Sequence, residues 1–171
     1  VLLLRPARLD DEPSLRALDL QTWTSQVSPG ELPRSEQPFL DAATVLADLL
    51  VAEVGGAGGA GGVGGVIVGY ARLSPTTSLA SNAHVLTVNG LAVAPTHQRT
   101  GVGRALLLET VGQARRRGAT KVALRVLGQN LGARALYESC GFVVEGVLRG
   151  EFVLDGELVD DVLMARHLAG G

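Results

Sequence analysis

An α/β domain, helices packed on a mixed sheet and spanning residues 1–171, is the fold class this sequence predicts, and three observations carry it. Short apolar runs of strand character, Val66 to Leu73, Val85 to Val93 and Val122 to Leu127, alternate with runs of helical period. One of them, Leu91-Ala92-Val93, is stopped by Pro95 and followed by a glycine-bearing turn, Gln98 to Gly103, that opens into the helical run Arg104 to Arg117. The chain closes on two strand-rich segments, Val143 to Leu154 and Glu157 to Leu168, joined by Asp155-Gly156, a hairpin signal.

Taken in order, Val1 to Leu4 reads as a strand. Asp10 to Leu20 reads as a helix entered through Asp10, Asp11 and Glu12 with Pro13 in its first turn, and Leu15, Leu18 and Leu20 are expected to face the core. Gln21 to Pro38 is broken by Pro29, Gly30, Pro33 and Pro38 and reads as a loop with helical turns. Phe39 to Leu49 is expected to be a short helix and Leu50 to Val54 a strand. Gly55 to Gly65 contains only glycine, alanine and one valine, too little apolar surface to offset the entropy of ordering it. A flexible hairpin loop is the simple reading, with a glycine-rich phosphate loop as the alternative. Asn89-Gly90 leaves too few residues before Pro95 for a hairpin, so a bulge is expected there. Leu107, Val111 and Ala114 mark the buried face of the next helix, which ends in Arg115-Arg116-Arg117 before Gly118. That triplet suits a solvated helix C-terminus better than a nucleic-acid surface. Finally, Asn130 caps a short helix closed by Gly141, with Ala133, Leu136, Tyr137 and Cys140 on one apolar stripe. Tyr137 therefore points inward, where a core role and a catalytic role are both open.

Composition narrows the function classes. Fifteen basic and seventeen acidic side chains give a formal net charge of -2, so no global basic field favours nucleic acid or an anionic membrane. Cys140 is the single cysteine, which excludes an intrachain disulfide and a cysteine metal cluster and fits a reducing cytoplasm. The opening Val-Leu-Leu-Leu is cut off by Arg5 and Pro6, and no apolar run reaches the ~20 residues needed to span a bilayer. A soluble chain with no metal is expected.

The strand, glycine turn and helix around Gln98 to Gly103 form an anion cradle: the glycines allow close backbone approach, and the helix N-terminus offers unpaired N–H groups. Arg104-Ala105 after Gly103 lacks the Lys-Ser/Thr pair of a Walker loop, and Leu106 stands where a dinucleotide fingerprint needs its third glycine. What remains, Gln98-Arg99-Thr100-Gly101-Val102-Gly103, resembles the acyl-coenzyme A pyrophosphate loop of the GNAT superfamily of N-acetyltransferases. A second stretch, Asn130 through Ala133 to Leu136-Tyr137 and Gly141-Phe142, resembles the same superfamily's next motif and follows at the expected distance. The resemblance covers nearly the whole chain and is weakest from Gln21 to Leu49. The tail, Glu145 to Arg149 with Val159 to Met164, is similar to the branch of ribosomal-protein and amino-acid N-acetyltransferases.

The resemblance implies the GNAT fold, a mostly antiparallel sheet with one splayed strand and flanking helices, and attack of a primary amine on acetyl-coenzyme A (acetyl-CoA). It places the diphosphate on Gln98, Arg99, Thr100, Gly101, Val102, Gly103 and Arg104, and the thioester arm on backbone groups of Leu91, Ala92 and Val93. It gives Tyr137 the role of protonating the departing thiolate and Asn130 a hydrogen bond to the pantetheine or to a water. Family habit, together with the edge of the apolar segment Val143 to Met164, implies a homodimer. One requirement departs from the pattern: where some relatives carry a glutamate base, this chain has Arg125, which holds its proton at neutral pH. His84, Glu145, Glu151, Asp160 and Asp161 remain as bases, directly or through water. A coenzyme A-binding sensor without turnover is the alternative that the missing base favours. A purely structural domain would leave both motifs unexplained.

Overall fold

The computed structural model describes residues 1–34, 36–41, 44–55 and 65–168. Among them the strands are β1 (Leu2–Pro6), β2 (Leu49–Val54), β3 (Val66–Pro75), β4 (Val85–Val93), β5 (Lys121–Leu127), β6 (Val143–Leu154) and β7 (Glu157–His167). The helices are α1 (Glu12–Thr22), α2 (Val102–Arg116) and α3 (Leu131–Ser139), with a few isolated helical turns. Strand order is β1-β2-β3-β4-β5-β7-β6. The β4/β5 pair is parallel and the pairs β1/β2, β2/β3, β5/β7 and β6/β7 are antiparallel, so the mostly antiparallel mixed sheet expected from the sequence is present. Chain contacts divide into two compact units.

The first unit holds Val1–Thr22, Pro33–Arg72 and Gly90–Thr110. Its core joins Leu15 and Leu18 of α1, Leu49–Ala52 of β2, Val68, Tyr70 and Ala71 of β3, and Val102 and Leu106 of α2. Burying each large apolar side chain of this set contributes roughly 1.5–3 kcal/mol. Gly69 is required here, because a Cβ would lie 2.9 Å from both the Ala92 carbonyl and the Leu106 side chain. Arg5 ties β1 to the start of α1 and to β2: its Nη atoms donate to Asp11 at 2.7 and 2.8 Å, and its Nε donates to Glu53 at 2.8 Å. Asp11 also accepts the Arg8 N–H at 2.7 Å, which turns the chain into the helix.

The expected helix over Phe39 to Leu49 does not form among its described residues; only Leu46–Asp48 makes a helical turn. Side-chain bonds, one set of them from distant Glu12, take its place. The Glu12 carboxylate accepts the N–H groups of Phe39 and Leu40 at 2.9 and 2.7 Å, and Thr44 Oγ1 exchanges bonds with Asp41, the kind of competition that stops helix propagation. Phe39 then packs edge-on against Tyr70, 4.9 Å between ring centres, and Tyr70 donates to Asp19 at 2.6 Å. The glycine-rich loop expected over Gly55 to Gly65 lies, from 56 to 64, outside the described residues.

The second unit holds Trp23–Leu32, Leu73–Asn89 and the residues from Val111 onward. In it the β4/β5 ladder covers Val85–Val88 against Lys121–Leu124, the short pairing that a splayed strand leaves. β5 runs on against β7 to Leu127↔Asp161, and β7 pairs with β6 across a two-residue turn of left-handed Asp155 (φ 51°) and Gly156 (φ 83°). This is the hairpin that Asp155-Gly156 announces. Gly118 (φ 80°) ends α2, letting Ala119 N–H reach the Ala114 carbonyl at 3.0 Å.

Candidate active site

In the first unit, β4 ends at Val93 and a helical turn, Pro95–His97, leads into the loop that opens α2. Arg99 (φ 62°) and Gly101 (φ 94°) are both left-handed, the backbone type that builds anion-binding nests. Only Gly101 adopts that conformation without strain. The helix begins at Val102, two residues earlier than the periodicity suggests, so Gly103 lies in its first turn and not in the loop. Its ladder opens with Ala105 N–H donating to the Gly101 carbonyl at 2.9 Å, and the N–H groups of Val102 and Gly103 precede that bond. Two further sequence candidates brace the loop. Gln98 Nε2 donates to the Val93 carbonyl at 3.1 Å, and Thr100 Oγ1 donates to the His97 carbonyl at 2.7 Å. Leu91, Ala92 and Val93 are half-buried, with Ala94 N–H held by the Val68 carbonyl at 2.8 Å.

In the second unit, Asn130 caps α3: its Oδ1 accepts the Ala133 N–H at 3.2 Å. Tyr137 lies on the buried face with 9 % of its surface exposed, its ring 6.2 Å from that of Phe142. The hydroxyl makes no hydrogen bond with a described residue. Burial pushes its pKa up to about 12, so the phenol stays neutral at physiological pH.

Three of the four carboxylates named as bases, Asp161, Asp160 and Glu145, are engaged. Asp161 is buried and takes the Arg125 guanidinium at 2.5 Å, so the position of the absent glutamate holds an ion pair. Asp160 accepts from Arg149 at 2.7 Å and from the Gly150 N–H at 2.9 Å, and the backbone N–H followed by the arginine keeps its pKa below the usual range. Glu145 pairs with Lys121 at 2.6 Å and with His167 at 3.1 Å, and these two side-chain bonds, Lys121 first, lower its pKa. His84 and Glu151 are exposed. No group of three His, Cys, Asp or Glu side chains among the described residues is placed to hold a metal ion.

Sequence reasoning missed a cavity of about 390 Å³ in the second unit, lined by Gly128, Gln129, Arg134, Val147, Arg149, Leu158, Val159, Asp160 and Val162. Its signal was Arg134, a cation in the N-terminal half of α3, where the helix dipole disfavours one.

A strand ending in a left-handed loop that opens a helix turns backbone N–H groups outward, the arrangement suited to an anion. Residues 14–142 match the model of the Acetyltransferase (GNAT) family, and the chain belongs to that family. It is similar to the [Ribosomal protein bS18]-alanine N-acetyltransferase of Escherichia coli K12, 37% identical over 79 residues that make up 46% of this chain and 53% of the relative. The match thus spans about half the length of that curated relative. Among solved structures it resembles the ribosomal-protein-alanine N-acetyltransferase of Brucella melitensis, 25% identical with a TM-score of 0.73 over 97% of this chain and 99% of the other. It shares its fold with a phosphinothricin acetyltransferase of Sinorhizobium meliloti in complex with acetyl-CoA, 20% identical with a TM-score of 0.79 over 98% and 88% of the two chains.

Proposed function

We propose that this chain transfers the acetyl group of acetyl-CoA to a primary amine. The observation that carries the proposal is the nest of left-handed Arg99 and Gly101 at the N-terminus of α2, in a chain of the GNAT family. The diphosphate sits on the backbone N–H groups from Arg99 to Arg104, with Arg99 and Arg104 adding charge. Leu91, Ala92 and Val93 align the thioester arm through their backbone, and the Val93 N–H polarises the carbonyl. The amine nitrogen bonds to the acetyl carbon, the carbon–sulfur bond breaks, and Tyr137 gives its proton to the sulfur and regains one from solvent. Asn130, its Oδ1 used as a cap, offers its amide N–H to the pantetheine or to a water. Glu145, Asp160 and Asp161 are held in ion pairs, which leaves the exposed His84 and Glu151 to take the ammonium proton directly or through water. The acceptor is the α-amine of an amino acid or a peptide, as the names of the relatives suggest.

The chain acts as one domain and works in the cytoplasm, where its single free cysteine, buried Cys140, stays reduced. It pairs as a homodimer through the edge strand β6, which exposes Val143, Val144, Leu148 and Val153. Light scattering at micromolar concentration gives a dimer mass on this reading, and a monomer mass refutes it. Free-thiol release from acetyl-CoA, measured across amines, amino acids and N-terminal peptides, tests the activity. Release that depends on the amine supports it, and none with any acceptor overturns it.

A further inference from the structure

The cavity of the second unit has a charge that the protein leaves unanswered. Arg134 reaches it from α3, and its Nε is buried with no hydrogen-bond partner. No described residue accepts a hydrogen bond from its guanidinium or pairs with it. The other charges on the wall cancel, because Arg149 is bonded to Asp160, whose second oxygen is taken by the Gly150 N–H. Gln129 is likewise occupied, donating to the Ser25 carbonyl at 3.1 Å. One cationic charge therefore remains, in a site whose other walls are Val147, Leu158, Val159 and Val162. Arg134 as a whole is half-buried, but its Nε–H is cut off from water and needs an acceptor, and the planar guanidinium fork matches a carboxylate. A volume of about 390 Å³ falls near the small end of ligand pockets and suits a molecule the size of one amino acid.

We infer that this cavity binds the carboxylate of the acceptor, so that the amine substrate is a small amino acid whose carboxylate is held by Arg134 and whose apolar part rests on Val147 and Leu158. The inference rests on the acetyltransferase reading above. It is consistent with the place of Arg134 on α3: its N–H donates to the carbonyl of Asn130 at 3.1 Å, and it lies one turn before Tyr137. The carboxylate anchor and the proton donor thus share one short helix. Gly128 keeps the adjoining wall thin, since a Cβ there would lie 3.2 Å from the Asp160 side chain.

Product-like probes separate this inference from the activity itself. N-acetyl-L-alanine and N-acetyl-L-alaninamide differ only in the carboxylate. Calorimetric titration of the wild-type chain is expected to show the acid binding about 10- to 100-fold tighter than the amide, the range for a charged hydrogen-bonded pair. Arg134→Gln abolishes that preference and Arg134→Lys keeps part of it, with circular dichroism confirming that each variant folds. Equal affinity of acid and amide for the wild-type chain, or no saturable binding of either, overturns the inference whatever the variants do. Thiol release with L-alanine and L-alaninamide as acceptors then divides the two claims. Equal kcat/KM for both leaves acetyl transfer standing and removes the carboxylate site. Preferential binding of the acid without transfer to any amine supports the site and removes the acetyltransferase reading.

Discussion

Replacing Tyr137 with Phe isolates one hydroxyl. The ring stays on the buried face of α3 beside Phe142, and the deleted oxygen makes no hydrogen bond with a described residue, so no protein partner is left unsatisfied. Stability should therefore change by less than about 1 kcal/mol, which moves the melting temperature of a chain this size by only ~2–4 °C. If the hydroxyl protonates the leaving sulfur, kcat falls by roughly 10² to 10⁴, equivalent to about 3–5 kcal/mol of transition-state stabilisation, with acetyl-CoA affinity retained. The assay is single-turnover acetyl transfer alongside a melt of the same preparation, which removes product release from the comparison. Titration adds an independent check. Burial raises the Tyr137 pKa from 10.0 to about 12, so the stability tied to its neutral form is complete below pH 10 and lost as pH rises toward 12. The Phe variant should lose less stability over that window. A folded Phe variant with near-normal single-turnover transfer refutes the general-acid role.

Three further outcomes follow from the geometry. Gly103→Val places a branched side chain in the first turn of α2 and should weaken coenzyme A binding at least about tenfold while the fold persists; calorimetry showing unchanged affinity would sink this. Asn130→Ala removes the Oδ1 cap of α3 and should cost about 1 kcal/mol in urea unfolding, with Asp in place of Ala recovering most of it. Asp11 is held below its ordinary pKa of 3.8, chiefly by the Arg5 hydrogen bond, so the stability it contributes is present above that pH and lost as pH falls below it. Asp11→Asn should flatten the acid limb of the stability curve, and an unchanged limb would show that the ion pair is not what acid breaks.

The strands and the C-terminal hairpin were legible because their signals are local: β-branched runs bounded by glycine or proline, and Asp155-Gly156 supplying two left-handed residues in succession. The capped helix with Tyr137 inward was legible for the same reason, since Asn130 and the apolar stripe lie within three turns. Phe39 to Leu49 was misjudged because its fate depends on Glu12, 27 residues before Phe39, whose carboxylate takes the N–H groups of Phe39 and Leu40. The engagement of Asp161 by Arg125 and of Asp160 by Arg149 was invisible because cross-strand partners are fixed by register, which composition does not reveal. Arg134 escaped for a related reason: only the packing of β6 and β7 shows that nothing answers its charge.

Mass spectrometry of a reaction between acetyl-CoA and an accepted amine, with free thiol measured in the same tube, tests the proposed activity most directly. Acetyl transfer predicts one acetyl group on the amine nitrogen for each thiol released, at a rate that rises with both enzyme and amine concentration. Thiol released without acetylated amine, or acetyl-CoA bound and never consumed, would contradict it.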